Sequence, residues 1–106
     1  MNKSKAETFI GFAIKTGRCR IGLNAVETLK RADVIIICHT TAENSKQKAL
    51  KLAKKFNCPA VVSVKNNLEE ITHKQNAKVM AIFDKKLARA FLENLNEEFI
   101  AEGLEN

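Results

Sequence analysis

Six consecutive residues near the middle of the chain, Asp33-Val34-Ile35-Ile36-Ile37-Cys38, constrain the fold more than any other stretch. β-branched side chains favour extended backbone, and here no polar residue interrupts them from Val34 to Cys38. A strand with one wet face would alternate. This one does not, so it is read as a strand buried on both faces, with strands beside it and helices above and below.

The flanking sequence supplies those partners. Phe9, Phe12 and Ala13, with Ile10, recur at helical spacing and define the inward face of a first helix that stops at Gly17. Arg18 to Ile21 reads as a short strand, and a second helix runs from Gly22 to about Arg31 with Ala25, Val26 and Leu29 inward. A third helix is expected near Glu43 to Asn57, with Thr40 and Glu43 at capping-box spacing. Its Ala49, Ala53 and Phe56 point one way, while Lys48, Lys51 and Lys55 form the opposite stripe.

Pro59 bars that helix from continuing, and Ala60 to Val64 reads as another buried strand. A turn at Lys65-Asn66-Asn67 leads into a short helix ending near His73, followed by a strand over Lys78 to Phe83. Asp84 is suited to cap a last helix that buries Leu87, Ala88, Phe91 and Leu95. The alternation predicts an α/β chain, a three-layer α/β/α sandwich around a mixed sheet of about four strands. With 106 residues and no linker or repeat, a single domain is expected, its core from about residue 8 to 96 and a frayed acidic tail over 97–106.

Eighteen basic residues against twelve acidic ones give a formal charge of +6, which favours polyanionic partners without naming one. The three cysteines are scattered, unpaired by spacing and read as reduced. With no signal peptide and no apolar run long enough to span a bilayer, a cytoplasmic protein that binds no membrane is expected. His39 and His73 have neither the spacing nor the partners of a metal site. Cys38 and His39, as consecutive strand residues, point to opposite faces and cannot form a nucleophile–base pair. The chain has no Gly-x-Gly-x-x-Gly and no Walker-type lysine. No enzyme activity, metal or cofactor is therefore expected.

Read in order, Phe9-Ile10-Gly11-Phe12-Ala13-Ile14-Lys15-Thr16-Gly17-Arg18, Gly22, Val34 to Ile37, Ala42-Glu43-Asn44-Ser45-Lys46-Gln47-Lys48 and Asn57-Cys58-Pro59 resemble the ribosomal protein L-seven-Ae / L-thirty-e family. The likeness is to its small bacterial, ribosomal-protein-like members and spans roughly residues 8 to 95. It implies binding to kink-turn RNA, a sharply bent duplex with sheared G·A pairs. The family reads that bend with a Gly-x-Asn-Glu segment at the start of the second helix, a nearby lysine, and a hydrophobic loop before the last strand.

Here Gly22-Leu23-Asn24 matches that segment, but Ala25 stands where the family has Glu, and Thr28 where it has the lysine. Lys30 or Arg31 is the nearest replacement cation. In the loop, Leu68 fits, whereas Glu69 and His73 replace glycines. Arg18 and Arg20, alternating with Cys19 and Ile21, offer guanidinium forks to phosphate; Lys74 and Gln75 flank the loop. The candidate RNA-binding set is thus Arg18, Arg20, Gly22, Leu23, Asn24, Lys30, Arg31, Lys74 and Gln75. The expected partner is structured RNA, ribosomal RNA among the candidates, bound by a monomer. The competing reading is a scaffold of the same fold that has lost specific RNA recognition.

Overall fold

A computed structural model of the chain describes residues 4–95 and 97–102. Its elements run α1 (Lys5–Thr16), β1 (Cys19–Ile21), α2 (Leu23–Glu27), β2 (Val34–Cys38), α3 (Glu43–Phe56), β3 (Ala60–Ser63), α4 (Leu68–Thr72), β4 (Val79–Ile82), α5 (Lys85–Glu93) and β5 (Phe99–Glu102). They build one sheet in the order β1-β4-β2-β3-β5. β2 and β3 are parallel, and every other neighbouring pair is antiparallel.

β2 sits in the centre and all five of its residues are buried. Its side chains alternate between two separate cores, as a two-sided strand must. Val34, Ile36 and Cys38 join Val61, Met80 and Ile82 beneath α1, α4 and α5. Ile35 and Ile37 join Ala60, Val62, Val79 and Ala81 beneath α2 and α3. This is the expected α/β/α sandwich.

Local signals at the helix ends operate largely as read. The Ser4 hydroxyl accepts from the Glu7 N–H at the start of α1, and Gly17 closes that helix at φ 71°. Asp84 accepts from the Leu87 N–H at 3.0 Å and starts α5. Asn57 ends α3 in the left-handed conformation, one position before the Cys58-Pro59 exit.

Four expectations are corrected. The sheet has five strands, because Phe99 to Glu102, expected to fray, pairs with β3. Phe99 is buried and sets its ring edge-on to Phe91 at 5.3 Å; that burial outweighs the acidic flanks that made the segment look like a tail. Residues 103–106 of that tail lie outside the described residues. Phe12 is 46% exposed rather than in the core. The inward stripe of α1 is Ala6, Ile10 and Ala13, and Phe12 lies to one side of it, edge-on to Phe9.

Helix α2 stops at Glu27, not near Arg31. The N–H groups of Thr28 and Leu29 donate three residues back, to Ala25 and Val26, and the Thr28 hydroxyl also donates to Ala25 O, so the turn tightens and closes. The Thr40–Glu43 capping box does not form. Thr40 is occupied by the Lys78 ammonium at 2.9 Å and the Cys38 sulfur at 3.1 Å, and the chain enters α3 at Ala42 with no side-chain cap.

Two outcomes test the β5 junction. Phe99→Ala is expected to cost about 3–5 kcal/mol in denaturant melts, the range for an aromatic truncated in a core, against under about 0.5 for a frayed tail. Beside it, desolvation first and then the Glu7 carboxyl push the Glu98 carboxyl up, opposed by the Ser4 hydroxyl and Lys65. A raised folded-state value favours the fold at low pH, and that contribution is lost as pH rises through it. Glu98→Gln should therefore flatten the fall in melting temperature as pH rises above the ordinary carboxylate range.

Candidate nucleic-acid interface

The edge of the sheet formed by β1 is three residues long and leaves a cleft beside it. Cys19 and Ile21 pack on the core, so Arg20 between them points the other way and is exposed. Its guanidinium is oriented from two sides: Nη1 donates to the Cys19 carbonyl at 2.9 Å, and the group lies 5.1 Å from the centre of the Phe83 ring. A cation held over an aromatic face keeps its remaining N–H donors available.

The chain then turns at Gly22, where φ is 102° and ψ 139°, a conformation closed to side chains with a Cβ. Its N–H donates to Val79 O at 2.7 Å, tying the β1–α2 junction to β4, and its carbonyl accepts from the Val26 N–H. The Gly22 amide is thus already engaged within the sheet.

The opposite wall is the loop between α4 and β4. His73 (φ 60°) and Asn76 (φ 62°) both adopt the left-handed conformation. His73 therefore makes, at a steric cost, a turn that a glycine would make freely. The Glu69 carboxylate accepts from the Asn76 N–H at 2.6 Å and lies 3.9 Å from the Lys78 ammonium. Its charge is thus spent inside the loop, shaping it and facing a cation. The Thr72 hydroxyl adds a second brace by accepting from the Lys74 N–H.

Together these elements bound an open cleft of about 380 Å³. Arg20, Gly22, Lys74 and Gln75 of the sequence-read set line it, together with Asn76 and Ala25. The convergence registers on the Cys19 thiol: burial pushes it up, while the charges of Arg20 and Lys74 both pull it down. A second opening of about 440 Å³ continues along the loop past Glu69, His73 and Asn76.

The other candidates are not brought into this cleft. Leu23 packs into the core beneath α2 and α3. Arg18 and Asn24 are exposed beside the cleft without lining it. Lys30 and Arg31 lie beyond the short α2, and Arg31 is engaged by Asp33 at 2.7 Å. Asn76 and Phe83 were missed from sequence: one reveals itself only through its backbone conformation, the other only through its position under Arg20.

Cys38 is buried; desolvation would raise its thiol, but the Thr40 hydroxyl and the Leu68 and Thr40 N–H groups outweigh it and lower the value. His39 lies 2.9 Å from the Ser63 carbonyl through Nδ1 and does not meet that sulfur. Burial, then Asp33, pushes Cys58 up to about 11. Among the described residues no group of His, Cys, Asp or Glu is placed to hold a metal ion, and no helix is long and apolar enough to cross a membrane.

No protein-family model matches the chain, and neither does any curated protein. Among solved structures it is similar to a protein with unknown function from Bacillus halodurans C. That likeness has a TM-score of 0.71 at 18% identity, covering 86% of this chain and 96% of the other. At that identity it shows a shared fold.

If Glu69 shapes the loop, Glu69→Ala should speed amide exchange at Asn76 by about tenfold or more, since it removes a charge-assisted acceptor worth about 1.5–3 kcal/mol. Exchange measured residue by residue checks this, with the amides of β2 unchanged.

Proposed function

We propose that the chain binds structured RNA of the kink-turn type, with the cleft between β1, the start of α2 and the loop 73–76 as its contact face. The observation that carries this reading is the convergence of Arg20, Lys74 and Gln75, from two distant parts of the sequence, around the backbone at Gly22. Two of these parts, the start of α2 and the loop before β4, correspond to segments that the L-seven-Ae / L-thirty-e family, which the sequence resembles, uses toward RNA.

The chemistry supports it. Arg20 offers a planar fork of donors suited to phosphate oxygens, and Lys74 adds a mobile point charge. Gln75 and Asn76 carry amides that both donate and accept, as base edges require. A bent RNA displays unpaired bases and backbone that regular A-form helix hides, so an open cleft rimmed by cations suits it. Glu69 does not oppose a phosphate with a free charge, because its carboxylate serves the Asn76 amide and faces Lys78.

A second reading, a scaffold of the same fold without RNA specificity, is favoured by one feature. Ala25 lines the cleft where the family presents a glutamate, leaving that position with no polar group to read a base.

The two readings separate in a fluorescence titration against a kink-turn RNA and a duplex with its G·A pairs replaced by Watson–Crick pairs. RNA recognition predicts a preference for the kinked RNA that survives added salt. It also predicts a loss of about tenfold or more in affinity for Arg20→Ala, equivalent to about 1.4 kcal/mol. Equal, salt-sensitive binding to both RNAs would establish the scaffold reading.

A further inference from the structure

Helix α3 presents a second basic surface, separate from the cleft. Lys48, Lys51 and Lys55 follow one another at spacings of three and four residues, forming an exposed ridge about 10.5 Å long at 1.5 Å per residue. Lys54 is exposed beside it. Carboxylates four residues away stabilise and neutralise lysines on an exposed helix. Here the sole acid of α3 is Glu43, at its first turn, and its carboxylate is taken by the Gln47 amide at 2.7 Å. Among the described residues no carboxylate lies within ion-pair distance of Lys48, Lys51, Lys54 or Lys55.

The position of α3 gives that charge a direction. It shares one layer of the sandwich with α2, packing beside it over the core that holds Val26, Ala49 and Ala53. Helix α2, which starts at the cleft, is therefore the neighbour of α3 within that layer. A rigid helix with unneutralised ammonium groups spread along its outer face matches a phosphate backbone running past it. The three ammonium groups themselves carry no base-reading pattern; of the amides one turn before them, Gln47 is taken by Glu43, and the Lys55 ammonium lies 5.9 Å from the centre of the Phe56 ring.

We propose that the Lys48–Lys51–Lys55 ridge is a sequence-independent surface for the phosphate backbone of a duplex arm that extends from the bend held in the cleft. This rests on the RNA reading above and adds to it a division of labour. The cleft selects the bend, and α3 tracks the arm and supplies salt-sensitive affinity.

The test compares the wild-type chain with Lys48→Ala/Lys51→Ala/Lys55→Ala and with the triple Lys→Arg variant. Each is titrated over a salt series against a kink-turn RNA with long arms, one with arms trimmed to the bend, and the matched straight duplex. Alanine and arginine are both strong helix formers, so the helix is retained, and thermal melts verify it.

The expected result is that the alanine variant loses affinity for the long-armed RNA and that its salt slope falls by about two to three, one per phosphate contact removed. Affinity for the trimmed RNA and the preference for kinked over straight should stay as in wild type, and the arginine variant should keep the full slope. An alanine variant whose slope and long-arm affinity match wild type overturns the proposal, and the ridge then belongs to an acidic protein surface or to solvent. If wild type shows no preference for the bend but the alanine variant still lowers the slope on duplex, the cleft reading fails while the ridge stands as a duplex-binding surface. If wild type binds none of the RNAs, both fall.

Discussion

Everything in this fold depends on β2 being buried on both faces and paired on both edges. A strand with no polar side chain can reach that state only if other strands satisfy its backbone and other layers cover its side chains. β3 and β4 provide the first, and the two helical layers the second. Once β2 is placed, the remaining choices narrow. β3 lies parallel to it because α3 carries the chain back across one face, and β4 closes the other side antiparallel.

The same arrangement explains where a binding surface can form. The centre of the sheet is fully committed to packing, so polar groups that do no structural work are pushed to its margins and to the outer faces of helices. β1 is the margin on one side. It is short, its middle residue is a cation, and the loop leading into β4 folds back beside it. Backbone economy builds the cleft: Gly22 ties its amide to β4, Glu69 ties the Asn76 amide, and Arg20 lies over Phe83. Arg20 is oriented but not neutralised, and Lys74 adds a cation with no ion pair among the described residues, which is the electrostatic condition for attracting a polyanion.

What could be read along the chain and what could not differ for a physical reason. β2, the lysine and alanine faces of α3, the Gly17 stop and the Asp84 cap rest on interactions within a few residues, or on a hydrophobic pattern long enough to have one period. They were legible for that reason. α2 was read too long because its end depends on hydrogen bonds that tighten its last turn. The Thr40 cap failed because Lys78, far along the chain, competes for the same hydroxyl. β5 was hidden because its worth lies in one contact, Phe99 against Phe91, and in pairing with β3, neither of which a short acidic segment announces.

The candidate site divides along the same line. Residue chemistry read together with the family resemblance singled out Arg20, Gly22, Lys74 and Gln75, since guanidinium, glycine, ammonium and amide groups carry their properties wherever they sit. It could not separate them from Leu23, which turned inward to the core, or from Arg31, which paired with Asp33. Nor could it foresee that Glu69 would be occupied by a loop amide. The sequence by itself determined the layers and the sign of the charge, because hydrophobic period and ionisable groups are local properties. Which cations converge, and which are already spent on a partner, was decided only by the tertiary structure, because pairing depends on distances the chain sets when it closes on itself.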